Sequence, residues 1–193
     1  MPKRVYLAGP DVFLPDPHAR GDRMKAICAA NGLVGVFPLD QVSVPGGPLM
    51  PDWLRIGLGN EAHIRSCDIL IANLTPFRGV SADPGTVYEL GFMRALGRPV
   101  FGWSASGLTL KERTRTDGFD IEDFGLYENL MITAAVADSG GVFVAETLAD
   151  PWVDLSLFER CVKHVAGAPT AQEAPAPPRF RRHPEARRAG TGA

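Results

Sequence analysis

The sequence predicts a doubly wound α/β fold: a Rossmann- or flavodoxin-like parallel sheet with helices on both faces, in a single domain. Short apolar runs alternate with longer segments of helical character, and that alternation builds parallel sheets covered on both sides. Glycine and proline stand where apolar runs end, as at Gly9-Pro10, Pro38 and Pro76. A chain of 193 residues that is 45% hydrophobic suits one core-forming domain with room for a tail. The domain is assigned to 1–166 and the tail to 167–193.

The elements follow in order. Val5 to Ala8 is the apolar part of a strand that begins at Arg4 and breaks at Gly9-Pro10, where glycine widens the backbone choice and proline fixes the next residue. A helix is expected from about His18 to Asn31, ended by Gly32, then a strand over Val34 to Pro38. The Pro/Gly stretch from Asp40 to Pro51 is too long for a simple connection. A helix from Asp52 to Ser66 leads to a strand from Ile69 to Leu74, and a loop then leads to a helix from Gly85 to Leu96. A strand over Pro99 to Trp103 precedes a mixed stretch, Ser104 to Gly125, read as a mobile flap. A helix starting near Asn129, a late strand over Gly141 to Ala145 and a closing helix over Asp150 to Val165 complete the domain. The Ala/Pro/Arg-rich tail has almost no core formers and is expected to be disordered. Its arginines, Arg179, Arg181, Arg182, Arg187 and Arg188, are read as a solvated basic run.

Composition excludes several classes. A net charge of −2 makes no case for nucleic-acid binding by the folded part. Cys28, Cys67 and Cys161 have no metal spacing and read as reduced core residues of a cytoplasmic protein. His18, His63, His164 and His183 form no ligand pattern, so no metal or other cofactor is expected. Neither a transmembrane span nor a signal peptide is expected. The glycine turn is not a nucleotide fingerprint, because GxGxxG and GxxxxGK[ST] are both absent.

Chemistry concentrates between Cys67 and Gly91. Asp83 and Glu89 lie six residues apart, Asp83 in the loop and Glu89 inside the helix that follows. Carboxylates where a strand gives way to its helix lie where open α/β sheets bind ligands. The bland alternative is an Asp at a helix start followed by a solvated Glu. Against it stand the neighbours of Glu89, which include Val87, Leu90, Phe92 and Met93. An acid in such company is paired or working. Burial would raise its pKa and nearby donors would lower it.

These segments resemble the nucleoside 2-deoxyribosyltransferase family. The matching stretches are Tyr6-Leu-Ala-Gly-Pro-Asp-Val-Phe13, Cys67-Asp68 and its strand, Pro76-Phe-Arg-Gly79, Asp83-Pro-Gly-Thr-Val-Tyr-Glu-Leu-Gly91 and Gly125-Leu-Tyr-Glu-Asn-Leu-Met131. The resemblance implies that Glu89 attacks the anomeric carbon of a 2-deoxynucleoside, and that Tyr6 orients it. It implies that Asp83 binds the 5′-hydroxyl, that Asn60 faces the base and that Phe13 lines the base pocket. Asn129 would reach into a neighbouring subunit's site, which makes the protein a homo-oligomer with shared active sites. Gly9, in the opening turn, and Arg78, in the Pro-Phe-Arg-Gly motif, complete the substrate-binding set. Asn73 stands where some relatives carry Asp. The implied partners are deoxynucleosides and free nucleobases in salvage.

The chemistry is consistent with this. Two inversions at one carbon give retention, and a carboxylate suits an oxocarbenium-like transition state. The leaving base needs a proton, for which Glu89 itself, a water, Asp40 and Asp11 are all open. One alternative is a hydrolase of 2-deoxynucleoside 5′-monophosphates. Arg78 and Ser81 would favour that ligand, whereas Asp83 at about 4 Å from a phosphate would repel it by roughly 1 kcal/mol or more. A non-catalytic nucleotide-sensing module is the other, and it leaves the Glu in an apolar helix unexplained.

Overall fold

The computed structural model describes residues 1–47 and 49–167. Five strands form one all-parallel sheet: β1 (Arg4–Ala8), β2 (Val34–Val36), β3 (Ile69–Asn73), β4 (Val100–Ser104) and β5 (Phe143–Ala145), in the order β2-β1-β3-β4-β5. This is the flavodoxin-like member of the expected class. The chain reverses its direction of travel across the sheet between β1 and β3, so the crevice beyond their carboxyl ends is where a ligand is expected.

Strand alternation divides the core in two. Val5 and Leu7 of β1, Ile69 and Ile71 of β3, and Phe101 and Trp103 of β4 face α1 (Pro17–Ala30) and the closing helix. Tyr6 and Ala8, Leu70 and Ala72, and Val100 face the other way. That second layer holds α2 (Asp52–Ser66), α3 (Pro84–Ala95) and, after the short α4 (Leu110–Arg113), α5 (Leu130–Asp138). A period of two along β1 therefore sends the phenol of Tyr6 toward α3, the helix that carries Glu89. Among the described residues no helix is long and apolar enough to cross a membrane.

Helix boundaries follow their caps. Asp16 caps α1 through the Ala19 amide, with Pro17 in the first turn. α3 starts at Pro84, one residue before the sequence reading, because Asp83 accepts from the Thr86 amide. The closing helix, α6 (Ser156–Gly167), starts later than the expected Asp150, since Asp154 takes the Ser156 amide at 2.7 Å and the preceding residues form a turn. Gly167, expected as the first residue of the tail, lies in α6, and the rest of the expected tail, 168–193, lies outside the described residues.

Ser104–Gly125, expected as a mobile flap, carries α4, held by a reciprocal capping box between Thr109 and Glu112. It is also tied by Leu110 N–H to the Leu126 carbonyl and by Lys111 to Asp123.

The turn after β1 is packed rather than merely bent. Gly9 has an extended backbone, so its freedom at positive φ is not what the site requires. A Cβ there would lie 2.6 Å from Asp11 Oδ2 and 2.7 Å from Asn73 Cβ. Asp11 is sealed beneath the turn, accepting from Arg20 Nε at 2.8 Å and from Asn73 Nδ2 at 2.8 Å. Gly9→Ala is expected to cost roughly 1–3 kcal/mol through overpacking. Gly91→Ala, on an open face of α3, should be neutral or favourable by up to about 1 kcal/mol. Urea unfolding of the two variants checks this difference in sign.

Candidate active site

Glu89 lies on the inner face of α3 and is only 8% exposed. A carboxylate buried this far needs donors. It has two: Tyr6 donates its hydroxyl to Oε1 at 2.7 Å, and Asn60 of α2 donates its side-chain amide to the same oxygen at 3.2 Å. Three elements, β1, α2 and α3, thus meet on one oxygen. Oε2 accepts no hydrogen bond from the described residues, and it is not among the sealed polar atoms. It therefore keeps some contact with solvent.

The electrostatics are set by opposing effects. Burial pushes the Glu89 carboxyl up to about 7, against the Tyr6 hydrogen bond, which favours the ionised form; the charge of Asp83 raises it further and the Asn60 amide lowers it. Tyr6 is held far above its ordinary value by burial and then by the charge of Glu89, so the phenol stays protonated and remains a donor. His63 stacks on the Tyr6 ring at 6.5 Å between centroids and is fixed by the Asp40 carbonyl at 3.0 Å.

Asp83 has two roles available to its two oxygens. Oδ2 caps α3, accepting from Thr86 N at 2.9 Å and Thr86 Oγ1 at 3.1 Å. Oδ1 has no hydrogen-bond partner among the described residues. The expected cap and a ligand contact are therefore compatible in one side chain.

The remaining expected residues lie around this centre in different ways. Phe13 is 56% exposed and stacks nearly parallel on Phe77 with centroids 5.5 Å apart. The Arg78 guanidinium lies over both rings, 5.1 Å and 4.8 Å from their centroids. Arg78 also has a left-handed backbone, φ 55, an uncommon and mildly costly state for a side-chain-bearing residue. Both aromatics follow the carboxyl ends of β1 and β3, at the switch point. Gly9 is buried under this turn against Asn73. Asn129 caps α5 by accepting from Met131 N at 3.0 Å, and its amide donates to Glu122 at 2.6 Å, so within one chain its side chain makes no hydrogen bond to Glu89, Tyr6, Asn60 or Asp83 among the described residues.

Two acids considered as proton donors are occupied elsewhere. Asp40 accepts from Lys25 Nζ at 2.8 Å and from the Phe37 amide at 2.9 Å. Asp11 belongs to the sealed network with Arg20 and Asn73.

Sequence reasoning missed Glu128, which is fully buried and receives the Ser81 hydroxyl, the Ala82 amide and the Arg113 guanidinium. The signal was available: Glu128 stands among Leu126, Tyr127, Leu130 and Met131, the same apolar company that singled out Glu89.

Comparison with known proteins identifies the family and the fold. The family model described as nucleoside 2-deoxyribosyltransferase matches residues 5–131, more than half of the chain. The chain belongs to that family. The matched span holds every expected site residue from Tyr6 to Asn129. A curated relative, the uncharacterised protein C191.05c of Schizosaccharomyces pombe, is 30% identical over 87% of this chain and 90% of its own length. The solved structure of a 2-desoxiribosyltransferase from Leishmania mexicana is similar with a TM-score of 0.61 and 30% identity, covering 84% of this chain and 99% of that one. A conserved protein from Enterococcus faecalis V583 shares the fold at a TM-score of 0.54 and 19% identity, covering 86% of this chain and 99% of its own.

The raised carboxyl of Glu89 has a measurable signature. The folded state holds this proton more tightly than the unfolded chain does. Its ionisation therefore costs nothing below the unfolded value of about 4.3, costs progressively more as pH rises, and costs the full amount above about 7. Glu89→Gln removes that cost. The variant should be more stable than the parent at pH 8, by up to about 3 kcal/mol, and indistinguishable near pH 4. Thermal or urea unfolding at the two pH values reads the difference.

Proposed function

We propose that the protein transfers 2-deoxyribose between nucleobases through a covalent ester on Glu89, in nucleoside salvage in the cytoplasm. The observation that carries this is the inequivalence of the Glu89 oxygens. Oε1 is held by Tyr6 and Asn60, and Oε2 is left open. In the first step Oε2 forms a bond to the anomeric carbon while the bond to the base breaks. The electron pair leaves with the base nitrogen, which takes up a proton. In the second step a nitrogen of an incoming base attacks the same carbon and gives up its proton, and the carboxylate departs. Two inversions give overall retention. With Asp11 and Asp40 occupied, the leaving base is protonated by water or by the proton that Glu89 itself exchanges near neutral pH.

The other residues take positions suited to this reading. The open Oδ1 of Asp83 accepts the sugar 5′-hydroxyl, and the free Oδ1 of Asn60 faces the base. Phe13 and Phe77 offer the base an aromatic wall with Arg78 behind it. Asn129 contacts the sugar bound by a neighbouring subunit, which makes the working unit a homo-oligomer. The exposed Arg78 cation favours a second reading, hydrolysis of 2-deoxynucleoside 5′-monophosphates. The carboxylate of Asp83 at the 5′-end opposes it.

Glu89→Ala and Glu89→Gln should each lower the rate of deoxyadenosine formation from deoxyinosine or thymidine and free adenine by several orders of magnitude, with the fold intact by circular dichroism. Mass spectrometry after incubation with a slow 2-fluoro substrate should find the sugar on Glu89. Near-normal exchange by folded Glu89→Gln would sink the mechanism. Rapid monophosphate hydrolysis with little transfer to added base would favour the second reading.

Subunit sharing has its own test. Inactive Glu89→Ala subunits mixed with inactive Asn129→Ala subunits should regain activity once exchange between oligomers is verified. If Asn129 acts only as the cap of α5, mixing restores nothing.

A further inference from the structure

The loop between β3 and α3 carries Arg78 and ends at Asp83. Its backbone closes on itself through Phe77 N–H to the Ser81 carbonyl at 3.1 Å. What fixes this loop against the rest of the molecule is a buried ion pair that the chemistry of transfer does not use. Glu128, at the entrance to α5, is 0% exposed. Its Oε1 accepts from Ser81 Oγ at 2.5 Å and Asn129 N at 3.0 Å; its Oε2 accepts from Ala82 N at 3.1 Å and Arg113 Nη2 at 3.4 Å. Every lone-pair direction of the carboxylate is engaged, which is what a charge in this position requires.

Arg113 works from the other side. It comes from α4, and its guanidinium donates to the carbonyls of Val80 at 2.9 Å, Leu108 at 2.5 Å and Tyr127 at 2.7 Å. Glu128 thus holds residues 81 and 82 of the loop, and Arg113 holds residue 80. The pair joins the loop, the α4 segment and the start of α5. The residue immediately after this anchorage is Asp83.

We infer that Glu128, with Arg113 as its counter-ion, is a positioning residue that sets where the Asp83 carboxylate meets the sugar 5′-end. This rests on the reading of Asp83 as the acceptor of the 5′-hydroxyl. Glu128 touches no reacting atom; it acts through the peptide between Ala82 and Asp83. The same anchorage aligns the first turn of α3, since Asp83 is its cap.

Two variants test this in the full chain. Glu128→Gln keeps the shape and removes the charge. Ser81→Ala removes one hydrogen bond, leaves the ion pair intact and guards against a Glu128 variant that does not fold. Amide exchange of the peptide covering 77–83 should accelerate about tenfold in Glu128→Gln and by a smaller factor in Ser81→Ala, with the β3 core at 69–73 unchanged. The preference, in kcat/KM, for a 2′-deoxynucleoside over its 2′,5′-dideoxy analogue should fall roughly tenfold in Glu128→Gln, in the direction of Asp83→Asn. Unchanged loop exchange in both variants overturns the proposal, as does equal acceleration of loop and core. A loosened loop with the 5′-hydroxyl preference intact overturns it also, provided that Asp83→Asn has lost that preference. If Asp83→Asn keeps the preference, the reading of Asp83 fails by itself, and loop exchange alone then decides whether Glu128 positions the loop.

Discussion

The hydrogen bond from Tyr6 to Glu89 ties the site to the fold. Tyr6 lies in the central part of β1, between β2 and β3, and is wholly buried. Its direction is dictated by strand alternation, which also assigns Val5 and Leu7 to the opposite core. The ring cannot move without disturbing the sheet, so the phenol is a donor fixed by packing rather than by a flexible stem. Glu89 must satisfy at least one oxygen where burial disfavours its charge, and Tyr6 provides the shortest contact it makes. That one contact therefore ties α3 to the sheet and opposes the rise that burial imposes on the carboxyl.

The polar side chains around that contact share a pattern. Glu89 is held by one oxygen and open at the other, and Asp83 caps a helix with one oxygen and leaves the second without a partner. Asn60 commits its amide nitrogen and keeps its carbonyl. Each group is oriented by half of its hydrogen-bonding capacity, and the other half has no partner among the described residues. Asp11, Asp40 and Glu128, by contrast, have both oxygens occupied, which separates framework acids from available ones without reference to their sequence motifs.

The parallel sheet was legible because its strands are continuous apolar runs bounded by Gly, Pro or polar residues, and buried strands read that way. Glu89 was legible because an acid in an apolar helix conflicts with solvation. Glu128 has the same sequence context but sits before a helix, where a capping role already explains an acid, so the conflict did not stand out. The sealing of Asp11 depends on Arg20 and Asn73, one nine residues away and the other at the end of β3, a pairing that only the folded chain brings together. The segment from Ser104 was read as a flap from its composition. Its ties through Arg113 reach residues 80 and 128, too distant in sequence for local pattern to reveal. The late start of α6 depended on Asp154, one of several acids any of which could have capped it.

The contrast between Tyr6 and Phe13 bears on how such a site can be altered. Both follow from the same opening strand and turn, yet one is locked in the core and the other stands more than half exposed on the rim beside Arg78. Changes at the rim leave the packing of the sheet untouched, whereas changes at Tyr6 or Gly9 disturb Glu89 or Asn73 directly. The buried Glu89 cluster and the aromatic rim are thus mechanically decoupled. Lineages, or libraries, can vary Phe13, Phe77 and Arg78 while inheriting the Tyr6–Glu89 contact unchanged.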